Sequence, residues 1–209
     1  MLGHRWGQSD FDIRNQFTFN GTWSVPSSYS NAFVRHVLGG WELGGIVVLQ
    51  TGLPFTVYTS APFAPVFNSS GQVIGNGGGD YNADGFNYDV PNTPAFGNHL
   101  SGQSKRNFLN GLFSASAFPA PPLGAEGSLG RNTFDQPGLS NVDLTLTRSF
   151  NTPWFFGEAL HLQFQAEAYN LFNRVNLTGI TSDLSSSLFG HATNQLPARS
   201  LQLHVRASF

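Results

Sequence analysis

The sequence predicts an all-β fold: antiparallel, up-and-down strands of a transmembrane β-barrel, with long loops on one side. Three observations carry this. Several segments alternate apolar and polar residues with a period of two, which gives a ribbon one apolar and one polar side. The connections between them alternate short and long, as in barrels that cross a membrane. Aromatic residues gather at the short-connection end of the strands, where a girdle would meet the interface.

The clearest element is the last, residues 198–209. Leu201, Leu203, Val205, Ala207 and Phe209 share one parity; Gln202, His204, Arg206 and Ser208 share the other. A crossing of about 9–11 residues needs this pattern, apolar toward lipid and polar toward a wet lumen.

Composition agrees. The chain has 209 residues, only 11% of them charged, with 20 Phe and 24 Gly. Ordinary soluble domains carry roughly 25% charged residues. A net charge of −2 offers no field for nucleic acid. The absence of cysteine removes disulfides and thiolate metal sites. No run approaches 18 apolar residues, so a spanning helix is excluded. Residues 1–12 are polar and hold no signal-peptide core.

The first predicted strand is residues 13–25. Ile13, Phe17, Phe19, Trp23 and Val25 oppose Arg14, Gln16, Thr18, Asn20, Thr22 and Ser24, and Pro26 stops the ladder. Residues 27–39 form a short connector with one helical turn over 32–38, capped by Ser30 and stopped by Gly39. The second strand, 40–57, sets Trp41, Leu43, Val47 and Leu49 against Glu42, Gly44 and Gln50, although Ile46 and Val48 interrupt its polar face.

Residues 58–140 then lack sustained periodicity and are rich in Pro, Gly, Ser and Asn. Loops beyond about 12–15 residues are unusual in compact domains and are commonly functional or disordered. The third strand, 141–150, places Val142, Leu144, Leu146 and Phe150 against Asp143, Thr145, Thr147 and Ser149. Arg148 falls on the apolar parity near the strand end, where it can snorkel. A short connector at 151–157 contains Trp154, Phe155 and Phe156. The fourth strand, 158–168, sets Leu160, Leu162, Phe164, Ala166 and Ala168 against His161, Gln163, Gln165, Glu167 and Tyr169. Residues 171–197 are the second long loop. The predicted girdle comprises Trp23, Trp41, Phe150, Trp154 and Phe209.

One stretch suggests a metal. In Asp80-Tyr-Asn82-Ala-Asp84-Gly85-Phe86, oxygen side chains at positions 1, 3 and 5 with glycine at 6 match the opening of a calcium loop. Phe86 would offer its carbonyl, and Asp89 would substitute for the glutamate at position 12, where Pro91 stands. The plain alternative is an Asp/Asn/Gly turn. The histidines show no metal-ligand spacing, and His161 and His204 fall on lumen parities. Glu158 and Glu167 have opposite parities and cannot form an acid/base pair on one face. Gly75–Gly79 lacks the Lys-Ser/Thr of a phosphate cradle. No catalytic constellation emerges, so the expectation is a non-enzyme without a resident cofactor other than calcium.

Several short motifs resemble one family in order along the chain. They are Ser9-Asp-Phe-Asp-Ile-Arg14, Gly39-Gly-Trp-Glu-Leu43, Gln50-Thr-Gly-Leu-Pro-Phe55, Gly130-Arg-Asn-Thr133, Pro137-Gly138 with Asn141-Val-Asp-Leu144, and Glu167-Ala-Tyr-Asn-Leu-Phe-Asn173. Together with the closing strand to Phe209 they resemble the C-terminal barrel portion of TonB-dependent outer-membrane receptors. The branch is the Oar-like one, whose members carry a carboxypeptidase-regulatory-like domain. The resemblance implies uptake of a scarce solute across the bacterial outer membrane, powered through the TonB complex. It also implies that Phe209 is the signal read by the barrel-assembly machinery. Transporter barrels of this kind have about 22 strands, against five here. The expectation is therefore one partial barrel domain over 1–209, with the plug domain, TonB contact and signal peptide outside this chain. The partners would be outer-membrane lipid, the rest of the parent barrel and a solute. Two other functions fit the same pattern: a soluble β-sandwich binding module, for instance for carbohydrate, and a passive structural or adhesive outer-membrane barrel.

Overall fold

The computed structural model describes residues 7–28, 30–86, 88–97, 102–153 and 159–209. Trp154 of the girdle, Phe155 and Phe156 of the short connector, and Glu158 lie outside the described residues. The chain divides into two compact units.

One unit is a five-stranded antiparallel sheet. Its strands are β1 (Gln16–Ser24), β2 (Trp41–Gln50), β7 (Leu139–Pro153), β8 (Ala159–Tyr169) and β11 (Ser200–Ser208), hydrogen-bonded in that order. The register keeps each parity intact across the sheet. Trp23 pairs with Leu43, Leu43 with Leu146, Leu146 with Ala166, and Ala166 with Leu203. One step along, Thr22 pairs with Gly44, Gly44 with Thr145, Thr145 with Glu167, and Glu167 with Gln202. A slip of one residue would turn a whole strand over, so the continuous rows are the reason for this register.

The apolar face is open. Phe19 is 58% exposed, Trp23 60% and Leu203 83%. Such a contiguous apolar surface requires an apolar medium or partner. The sheet itself is open as well, with β1 and β11 at its edges. Among the described residues no helix is long and apolar enough to cross a membrane.

The predicted strands hold, with shifted ends. The first starts at Gln16 rather than 13, because its partner β2 stops at Gln50, directly opposite. The second ends at Gln50 rather than 57: an irregular link over 51–53 follows, and Pro54–Phe55 becomes the separate strand β3, paired with β6 (Phe134–Asp135). Between β1 and β2 lies α1 (Ala32–Leu38), whose cap is Asn31 and not Ser30. Asn31 Oδ1 accepts from the N–H groups of Phe33 and Val34 at 2.9 and 3.3 Å. It therefore satisfies two donors that the first turn leaves without partners. At Gly39 a β-carbon would lie 2.5 Å from the Arg35 carbonyl oxygen, so the helix ends on a residue that has none.

The other unit comprises Met1–Arg14, Thr51–Gly138 and Asn176–Leu196. It is the two long loops together with the N-terminal segment. The loops fold, which their lack of periodicity did not lead one to expect. They contain the hairpin β4 (Pro65–Phe67) and β5 (Val73–Asn76), the helix α2 (Lys105–Asn110) and the hairpin β9 (Leu177–Ile180) and β10 (Ala192–Gln195). They bury Phe55, Val57, Val90, Phe113, Phe118, Leu129, Phe134 and Phe189 in one cluster. The rings of Phe113 and Phe134 are 4.8 Å apart, and Phe118 meets Phe113 edge-on at 5.4 Å. Each buried Phe contributes about 1.5–3 kcal/mol. Phe55, Phe113, Phe118, Phe134 and Phe189 are thus inside a core, while Phe17, Phe19, Phe150 and Phe164 of the five-stranded sheet stay exposed on one face.

Candidate functional site

The polar face of the sheet is the candidate wall of a pore. Gly44 has no side chain to fill the space between Thr22 and Thr145, whose carbons would each lie 3.8 Å from its β-carbon. This leaves a hollow of about 560 Å³, lined among others by Asn20, Thr22, Glu42, Asp143, Thr145 and Tyr169. Ile46 also lines it, so the irregular parity of β2 places one apolar group in a polar recess.

Beside the hollow the wall is tied by side-chain hydrogen bonds. Glu167 accepts from Gln165 Nε2 at 2.6 Å and from the Tyr169 hydroxyl at 2.8 Å. His204 Nε2 lies 3.5 Å from the same carboxylate, across the β8–β11 pair. His161 faces Asn151, with Nδ1 2.7 Å from its Oδ1. Both histidines therefore stand among polar wall groups, on the parity expected.

Some of the motifs quoted above meet one another. The Glu167–Asn173 motif ends β8 with Asn170 and Asn173 in the left-handed region, at φ 50° each, which Asn tolerates better than most residues. Asn170 is buried and donates to the carbonyls of Arg174 and Pro197 at 3.0 and 3.2 Å, while Asn173 accepts from Arg199 N–H at 3.1 Å. The motif thereby fixes where β11 begins. Asp143 of the Asn141–Leu144 motif accepts from the Asn170 N–H at 2.8 Å.

In the loop unit, Asn132 of Gly130-Arg-Asn-Thr133 is buried with φ 53°. Its amide donates to Asp10 Oδ1 at 2.7 Å and to the Gln8 carbonyl at 2.8 Å, and it accepts from Thr56 Oγ1 at 2.9 Å. Arg131 completes the clamp with a 2.7 Å ion pair to Asp10. The hydrogen bonds from Arg131, then Asn132, hold the exposed Asp10 carboxyl below its ordinary value. Gly52, in Gln50–Phe55, passes so close to Gln136 that a β-carbon would lie 1.7 Å from its carbonyl oxygen. Only glycine permits that approach.

Asp183 is a residue the sequence did not single out. Ser60 donates to it through both N–H and hydroxyl, and Ser185 does the same. Tyr58 and Leu184 close the junction through backbone hydrogen bonds at 3.1 and 2.8 Å. Burial raises the Asp183 carboxyl, but the four donors together outweigh it and the net shift is downward. The signal in the sequence was slight, a lone Asp followed two residues later by Ser.

The residues of the expected calcium loop do come together. Asp80 and Asp89 are buried. Asp80 accepts from the N–H groups of Asp84 and Gly85 at 3.2 and 3.0 Å; Asp89 accepts from those of Tyr81 and Asn82 at 2.6 and 3.1 Å. Asn82 Oδ1 accepts from Asp84 N–H, and Asp84 Oδ1 from Phe86 N–H, at 3.0 and 2.8 Å. Gly85 has φ 82°, the turn that glycine allows at the sixth position. The Phe86 ring is exposed. These bonds build the turn by themselves. Among the described residues no set of three or more His, Cys, Asp or Glu is grouped to hold a metal ion.

No curated protein and no solved structure matches the chain significantly. The sequence model of a family described as the outer membrane beta barrel domain matches residues 2–202. That match agrees with a sheet that has one exposed apolar face and one hydrogen-bonded polar face. Its apolar face is the one that meets lipid, and its place is the outer membrane. The chain belongs to the outer membrane beta barrel domain family.

Proposed function

We propose that this chain forms part of the wall, and the long loops, of a TonB-dependent outer-membrane transporter of the Oar-like kind. The loops capture a scarce solute, the polar wall passes it, and the TonB complex supplies the energy through a plug encoded elsewhere in the parent protein. Five strands leave two edges that lipid does not tolerate, so further strands complete the ring. No catalytic step is assigned to any residue. On this reading the barrel-assembly machinery recognises the strand that ends at Phe209.

The observation that carries the reading is the pairing of an amphipathic sheet with loops that hold their own aromatic core. A passive barrel needs only the wall; a capture surface needs ordered loops. Growth on single nutrient sources tests it. A strain lacking the parent barrel and a strain lacking TonB are expected to share one deficit. A barrel-specific deficit absent from the TonB-deficient strain would indicate a passive barrel.

A further inference from the structure

The short helix α1 is amphipathic, and its apolar side is open. Phe33 and Val37, four residues apart, and Val34 and Leu38, also four apart, form one continuous ridge. Phe33 is 75% exposed, Leu38 52% and Val37 45%. Arg35 lies off the ridge and is exposed.

What fixes α1 is found on the lipid-facing parity of the sheet. Trp41 Nε1 donates to the Val37 carbonyl at 2.9 Å, and Arg148 Nη1 donates to the same oxygen at 3.1 Å. That oxygen belongs to the last turn of the helix, where carbonyls have no partner within the helix. Trp41 and Arg148 are opposite each other on β2 and β7, in the row that continues through Phe164 and Val205. The apolar ridge is therefore tethered to the face that lipid covers, at its aromatic end.

We infer that α1 is an interfacial anchor, lying in the phospholipid leaflet on the short-connection side of the barrel with Phe33, Val37 and Leu38 in the acyl boundary. This inference rests on the barrel reading and not on the transport reading. An amphipathic helix in that position lies in the interface plane with its apolar face about 5–10 Å into the headgroup/acyl boundary, and tryptophan and arginine at its end match the chemistry of that level. Arg148 and Trp41 act as positioning residues, holding the last turn at the interface.

This chain contains no cysteine, and with any cysteine in the rest of the barrel replaced by serine, single nitroxide labels report without background. The complete barrel would be reconstituted in phosphatidylethanolamine–phosphatidylglycerol vesicles with a label at Phe33→Cys, Val37→Cys or Arg35→Cys. Leu144→Cys and Thr145→Cys serve as lipid and lumen references. Power saturation compares access by oxygen and by a water-soluble nickel chelate. The expected result is oxygen-dominated access at 33 and 37, shallower than at 144, with nickel-dominated access at 35. Nickel access at 33 and 37 equal to that at 35 would place the helix in water and overturn the inference. Exclusion of both reagents at 33 and 37 would overturn it in favour of a protein partner or a second copy. Water at position 144 would overturn the barrel reading and the inference with it.

Discussion

Arg148 lies with its guanidinium 5.2 Å from the ring centroid of Trp41, and both side chains donate to the carbonyl of Val37. The ring of Phe150 is 4.5 Å away on the next apolar position of the same strand. A charge on the lipid-facing parity is thus covered by two aromatic faces and bonded to a helix end. Arg148→Ala is expected to lower barrel stability by about 1–2 kcal/mol, the range of a cation–π contact with a charged hydrogen bond. Arg148→Lys should recover only part, because a lysine cannot present a planar face to two rings. Urea titration of the folded barrel measures both. Equal stability of wild type and Arg148→Ala would reduce the arrangement to surface decoration.

The loop unit is expected to depend on its phenylalanines as a soluble core does. Phe134 is 1% exposed and contacts Phe55, Phe113 and Phe118. Phe134→Ala should cost about 3–5 kcal/mol, whereas Phe17→Ala, on the open face of β1, should leave the loops unaffected. Limited proteolysis of loop sites reads the difference. Protection of the loops in Phe134→Ala would contradict a cooperative core.

Acid should loosen the loop unit in a defined direction. Asp10 and Asp183 both have carboxyls held below their ordinary values. A lowered folded value means that the unfolded chain takes up protons first as pH falls. The stabilisation is complete above the ordinary carboxylate range, near ~4, and is lost as pH drops through the folded values. Hydrogen exchange of loop amides from pH 6 downward, corrected for intrinsic rates, should show protection falling below about pH 4. Asp183→Asn should flatten that slope; an unchanged slope would remove Asp183 from the explanation.

At the Asp80–Asp89 turn, two proposals separate cleanly. Asp80→Ala leaves the Gly85 N–H without its acceptor and takes one of two acceptors from the Asp84 N–H, which keeps Asn82 Oδ1. The expected loss of loop stability is about 1–3 kcal/mol in metal-free buffer. Calcium binding predicts something more, a saturable heat at about 10⁻⁴–10⁻³ M that Asp84→Ala removes. Titration calorimetry decides. Heat that is absent, or unchanged by the substitution, leaves the five residues as turn builders only.

Phe209 follows the last paired residue of β11 and is 86% exposed. If it is the assembly signal, its deletion reduces the amount of folded barrel in outer membranes, and the melting temperature of what does fold changes little. If it only fills the girdle, the amounts stay normal and the melting temperature falls, because about 1.5–3 kcal/mol of burial is lost. Heat-modifiable mobility on gels measures the first quantity, and thermal unfolding the second.

The strands and their two faces were legible in the sequence because a strand's facing is a local property. Successive residues of an extended backbone point to opposite sides whatever surrounds them. Leu201 to Phe209 therefore declared their parity without any partner in view, and so did the helical turn at 32–38, with only its cap moved to Asn31. Which residue pairs with which was decided by the sheet. Opposing strands place the apolar rows in line, and that is why β1 gives up Ile13 and β2 stops at Gln50. The loop core was not legible. Phe55 and Phe134 lie on two-residue strands and Phe113 and Phe189 on irregular segments, all far apart in the chain, where no sustained period links position to burial. The same holds for Asn132 with Asp10, and for Asp183 with Ser60. Such contacts exist only once distant backbone has been brought together and its buried polar groups have to be satisfied.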